Sequence, residues 1–86
     1  MSYKILIDKK VIKDLKKIDK TWQIKIINKI QTTLATNPYS DKKLVGDLSK
    51  YYRLRVGDYR AIYSIDEDIV TVEVVKISHR KDAYNK

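Results

Sequence analysis

At 86 residues the chain can build one hydrophobic core, and its 43% apolar content suits a packed domain rather than a disordered tail. A formal charge of +8 favours acidic partners (nucleic acid, an acidic protein segment or an anionic membrane surface), the competing reading being charge for solubility alone. The absence of cysteine excludes disulfides and thiolate metal sites. The amino terminus lacks the apolar core of a signal peptide and no apolar run reaches spanning length, so a cytoplasmic protein is expected.

Residues Tyr3 to Ile7 read as a short strand, and Asp8 as the cap of a helix with Val11, Ile12, Leu15 and Ile18 on its apolar stripe. Asp19-Lys20-Thr21 breaks that helix. Thr21 is the expected cap of a second one, striped by Trp22, Ile26, Ile27, Ile30 and Leu34 and ended at Asn37-Pro38. The short link predicts a helical hairpin with both stripes on one core. A loop from about Tyr39 to Lys50, containing Gly46, follows. The apolar period then changes to two. Tyr51 to Val56 is a strand, Gly57-Asp58 a type II′ turn, Tyr59 to Ile65 its partner, and Ile69 to Ile77 a third, interior strand. Asp66-Glu67-Asp68 reads as a solvated turn and SHRKDAYNK as a short polar tail. The order predicts a single α+β domain over residues 1–86: an N-terminal strand on a sheet edge, a helical hairpin on one face, and a three-stranded antiparallel meander.

All four arginines, Arg53, Arg55, Arg60 and Arg80, follow residue 52, while lysine carries the charge before it. Arginine presents a rigid fork of donors suited to phosphate; lysine is a flexible, hydrated point charge. Alternation puts Tyr51, Arg53 and Arg55 on one face, the two arginines about 7 Å apart, with Tyr52, Leu54 and Val56 on the other. Arg60 can join the first face, and the tail can fold back over it with His79, Arg80 and Tyr84. The result would be a basic concavity edged by tyrosines able to stack on bases. The competing reading is a solvated face, or pairing of Arg53 and Arg55 with Glu73. His79 alone reads as a polar tail residue. One histidine and no cysteine cannot make a typical zinc site, the carboxylates lie in turns or on helix surfaces, and no glycine loop cradles phosphate. A nuclease built on this chain is expected to use neither metal nor cofactor.

The stretch KLVGDLSKYYRLRVGDYRAIYSI, followed by VVKISHRKDAY, resembles the RelE/ParE superfamily of toxins, the RelE branch in particular. A K-L-x-G loop, a Y-x-[KR]-x-[KR] strand, a turn with Tyr-Arg, and a basic pair and Tyr in the tail occur in the family's order, and length and element order agree. The resemblance implies a basic toxin, held by an acidic antitoxin, that cleaves mRNA in the ribosomal A site by attack of a 2′-OH on the adjacent phosphate. It implies catalytic roles for Arg53, Arg55, Arg60, Arg80 and Tyr84, with His79 at a tail position that is basic in relatives. The best-known form has lysines at the two strand positions, one proposed as general base. Arg53 and Arg55 cannot take a proton, so His79 becomes the expected base, kept neutral by Lys76, Arg80 and Lys81 around it.

Two rival readings remain open. The ParE branch shares the fold but poisons DNA gyrase, and a binding module would keep the fold and phosphate affinity without catalysis. Lys9, Lys10, Lys13, Lys16 and Lys17 are candidate contacts to rRNA phosphates, equally readable as solubilising charge. A monomer before antitoxin binding is expected.

Overall fold

The computed structural model describes residues 2–39, 42–43 and 51–79. Strand β1 (Lys4–Ile7) leads to helix α1 (Lys9–Lys16) and helix α2 (Lys20–Lys29), which continues into a π-helical turn (Ile30–Leu34). Strands β2 (Lys42–Lys43), β3 (Tyr51–Val56), β4 (Tyr59–Asp66) and β5 (Thr71–His79) follow. Among the described residues they form one five-stranded sheet in the order β1-β5-β4-β3-β2. The expected meander is β3-β4-β5, antiparallel throughout, and β1 lies on the edge, parallel to β5. No helix of the described residues is long and apolar enough to cross a membrane.

The helices form where expected, with two differences at their ends. Asp8 caps α1, its side chain accepting from the Lys10 amide at 2.9 Å. Helix α2 begins two residues earlier than Thr21 suggests: Asp19 is its N-cap, with extended backbone and no side-chain cap bond. The Gln23 side chain instead reaches back to the Ile18 carbonyl at 2.7 Å, tying the link between the helices. The predicted long second helix changes winding at Ile30. There the Thr32 hydroxyl donates to the Asn28 carbonyl at 2.8 Å, competing with the regular backbone ladder and loosening it. Despite the wider winding, Ile30 and Leu34 are both fully buried.

Val11 and Leu15 from α1, Ile26 from α2, and Ile30 and Leu34 from the π turn meet Leu54, Val56, Ala61, Tyr63, Val72, Val74 and Ile77 from the sheet. Ile12, expected on the core stripe, is exposed instead. One α-helix packed on a sheet buries a strip narrower than the sequence stripe, and Ile12 falls past its edge. Tyr63 brings a hydroxyl into this core and satisfies it on the Pro38 carbonyl at 2.6 Å. That bond ties the segment leaving the helices to the middle strand. The loop expected from Tyr39 to Lys50 contains β2, paired with β3 through Lys42↔Arg53 and Lys43↔Tyr52. A two-residue strand leaves no alternation to read. The rest of that loop, with Gly46, lies outside the described residues.

The acidic turn is not merely solvated. Tyr3 Oη donates to Glu67 at 2.9 Å, and Tyr39 Oη donates to the same carboxylate. Glu67 thereby joins the start of β1, the exit from the helices and the β4–β5 turn. Both phenols have pKa values raised, chiefly by the hydrogen bond to Glu67, then by burial and by that carboxylate's charge. The protonated phenol is favoured in the folded state. Its contribution is complete below the unfolded phenol's value near 10 and is lost as pH rises through the higher folded value. The stability advantage of wild type over Tyr39→Phe, measured by urea unfolding, is therefore expected to shrink between pH 8 and pH 11. An advantage constant across that range would remove Tyr39 from the clamp.

Candidate functional site

The β3–β4 hairpin sets the site. Gly57 has φ +58° and Asp58 is not among the positive-φ residues, the pattern of a II′ turn, so Val56 pairs with Tyr59 and Arg55 with Arg60. Directly opposed residues share a face. Val56 is buried against the helices, so Arg55 and Arg60 point to the open face, with Arg53 two residues along. The three strand arginines are thus together, as the alternation predicts. Two guanidinium groups opposite one another on neighbouring strands repel, and a shared anion removes that cost.

Rows across the sheet extend this surface. Arg60 pairs onward with Ser78, and Ile62, opposite Arg53, pairs onward with Lys76. Lys76 is exposed and diagonal to Arg60, about 7–8 Å away in an antiparallel ladder. It is a fourth cation of the face, and sequence reasoning considered it only as a neighbour of His79. Glu73 shares the open face, in the row of Ser64 and Tyr51. β4 stands between it and β3, and its row ends on Tyr51, so Glu73 is two strands across and two or more residues along, about 12 Å or more, from the β3 arginines, and the alternative of direct pairing with Arg53 or Arg55 does not match this topology.

His79 is not on this face. It is the last residue of β5, which runs two residues past the predicted end at Ile77. It pairs with Tyr59, and the two rings meet edge to face with centroids 4.9 Å apart. Tyr59 in turn packs on Trp22 of α2 at 5.6 Å, on the helix side of the sheet. The cause is a β-bulge. Ile62 pairs with Lys76 but Tyr63 pairs with Val74, leaving Val75 as an extra residue. Without it, counting on from buried Val72 and Val74 would send Lys76 to the core and His79 to the arginine face. With it, Ile77 is buried, His79 falls on the helix side, and Lys76 faces the arginines. The expectation that the polar tail starts after Ile77 and brings His79 over the arginines is corrected accordingly. Arg80 and Tyr84 lie outside the described residues.

A second basic surface lies on the helices. Lys9, Lys10, Lys13, Lys16 and Lys17, on α1 and its end, are all exposed. Helix α1 covers the core face of the sheet, so these lysines and the arginine face are on opposite sides of the molecule. Among the described residues no three His, Asp or Glu side chains converge as metal ligands.

Comparison with known proteins places this geometry. Residues 5–84 match the family described as the ParE toxin of the type II toxin–antitoxin system parDE. The chain is 34% identical to the protein named RelE1 of Methanocaldococcus jannaschii, over 98% of this chain and 97% of that one. It is 29% identical to toxin RelE of Mycobacterium tuberculosis, over 95% of this chain and 86% of the other. Among solved structures, the fold superposes on the RelBE2 toxin–antitoxin complex of M. tuberculosis with a TM-score of 0.86, at 25% identity and 93% coverage of each chain. It superposes on the archaeal RelE–RelB complex of Pyrococcus horikoshii with a TM-score of 0.74, at 29% identity, covering 93% of this chain and 97% of that one.

Proposed function

Because this chain belongs to the RelE/ParE superfamily and is a RelE-family toxin of a type II toxin–antitoxin system, we propose that it acts as a ribosome-dependent, metal-independent mRNA endoribonuclease that stops translation. The supporting observation is the convergence of Arg53, Arg55 and Arg60 on one open sheet face, with Lys76 beside them.

In the proposed reaction the 2′-oxygen attacks the neighbouring phosphorus and the bond to the 5′-oxygen breaks. The 2′ proton passes to a base, and the departing 5′-oxygen acquires a proton. The products are a 2′,3′-cyclic phosphate and a 5′-hydroxyl. Negative charge gathers on the phosphoryl oxygens as the fifth bond forms, and donors held in advance at that position stabilise it most. Arg55 and Arg60 are assigned to those oxygens and Arg53 and Lys76 to adjoining phosphates. By the family resemblance Arg80 joins the phosphate contacts and Tyr84 stacks on a base. None of the arginines serves as the base, since guanidinium does not deprotonate in proteins.

The lysines of α1 are assigned to rRNA phosphates. They leave the opposite face to the mRNA, so the toxin would sit between the two RNAs in the cytoplasm. A cognate acidic antitoxin, folding onto the basic surface, is the expected inhibitor.

The test incubates the purified chain with programmed ribosomes, free mRNA, and gyrase with relaxed plasmid. Cleavage in the A-site codon only when ribosomes are present supports the assignment. Inhibition of gyrase supercoiling without RNA cleavage supports the ParE reading, which the name of the matched family favours. Ribosome binding with neither activity would leave a binding module.

A further inference from the structure

At the hairpin end of the sheet three rings lie in a row on the helix side: Trp22 against Tyr59 at 5.6 Å, and Tyr59 against His79 at 4.9 Å. Trp22 also covers the turn, since a Cβ built on Gly57 would meet its indole ring. The Lys25 ammonium lies 4.8 Å from the Trp22 ring centroid, on the indole's π system. Tyr59 is therefore held between a helix residue and the last residue of β5. The next residue along β4 is Arg60, and alternation sends it to the opposite face. Ser78, which pairs with Arg60, immediately precedes His79. The ring row thus lies directly beneath the backbone that carries Arg60 and its partner Arg55.

Resting on the proposed cleavage, we infer that His79 is a positioning residue, which fixes Arg60 through its ring contact with Tyr59, and is not the proton acceptor. The sheet separates the imidazole from the guanidinium face, and a general base must come within hydrogen-bond reach of the proton it removes. The contact with Tyr59 is made by the flat face and edge of the imidazole, and a phenyl ring supplies that same contact. Sub-ångström placement of the groups around a reacting phosphate governs rate steeply, so a support one residue removed from Arg60 has kinetic weight.

The experiment compares wild type, His79→Ala, His79→Phe and Tyr59→Ala by single-turnover cleavage on programmed ribosomes across pH 5.5 to 8.5, after thermal unfolding establishes that each is folded. The Arg60 Nε–Hε resonance is followed by NMR in the isolated protein. His79→Ala and Tyr59→Ala are expected to slow cleavage about tenfold or more and to shift or broaden the Arg60 resonance. His79→Phe is expected to retain the rate within about threefold, with the wild-type pH profile and an undisturbed Arg60 resonance. Loss of cleavage in His79→Phe as deep as in His79→Ala, or loss of an acid limb near the ordinary imidazole value of about 6.5, would overturn the inference. Should wild type make no cut, the nuclease assignment fails. The NMR comparison still decides the role of His79: an Arg60 resonance indifferent to His79→Ala contradicts it.

Discussion

Replacing Arg60 with alanine is expected to slow single-turnover cleavage of ribosome-bound mRNA by about 100-fold or more, the effect of removing one pre-placed donor from a developing oxyanion. Arg60 is the central member of the open face, opposite Arg55 on one side and Ser78 on the other. It projects to the open face, and a thermal unfolding scan establishes that the variant is folded under the assay conditions. Arg60→Lys keeps the charge but loses the planar fork, and it should recover only part of the rate. Arg53→Ala, at the edge of the face, should cost less. Equal losses from Arg53, Arg60 and a lysine of α1 would mean that bulk charge is at work, with no particular phosphate held.

Gly57→Ala is expected to destabilise the fold by about 3 kcal/mol, from two separate causes. The backbone at Gly57 has φ +58°, a conformation that costs an L side chain roughly 1–2 kcal/mol. The added Cβ would also fall 2.5 Å from Trp22 Cζ3, inside van der Waals contact, and displacing a packed indole costs a further 1–3 kcal/mol or so. For a domain whose total stability is of the order of 5–15 kcal/mol this is a large share, visible as a drop in the urea midpoint. Trp22→Leu in the Gly57→Ala background should restore part of it, because the second cause disappears while the first stays. A loss of only about 1–2 kcal/mol, unchanged by Trp22→Leu, would show that the indole yields freely, and would weaken the idea that the ring row is a firm support.

Much of this architecture was legible in the residues because local and long-range signals agree. Asp8 marks the first helix, Gly57-Asp58 forces a tight hairpin, and the alternation of Arg53, Leu54, Arg55 and Val56 assigns their faces without reference to any other strand. The extra residue at Val75 was not legible. A bulge arises from the fit of two strands to each other, and nothing in the run Val72-Glu73-Val74-Val75-Lys76-Ile77 announces it. That one residue reverses the side of every position after it. Lys76 therefore faces the arginines and His79 the helices, whereas the expected return of the tail over the open face puts His79 among the arginines and leaves Lys76 only its neighbour. The joint role of Tyr3, Tyr39 and Glu67 was hidden for a similar reason: residues 64 positions apart meet only once β1 is laid beside β5. Resemblance to the toxin family supplied the chemistry expected of the arginines. The structure supplies the side of the sheet on which each described group stands, and for His79 that argues against the base role inferred from the arginines at the two strand positions.

In the proposed reaction, guanidinium groups on the open sheet face promote attack of a 2′-hydroxyl on the neighbouring phosphate. The most direct measurement is the end chemistry of the mRNA fragments released from programmed ribosomes by the purified toxin. A 2′,3′-cyclic phosphate on the upstream fragment and a 5′-hydroxyl on the downstream one are the result expected, with both lost together in Arg55→Ala/Arg60→Ala. A 3′-hydroxyl with a 5′-phosphate, or fragments unchanged in yield when both arginines are gone, would contradict it.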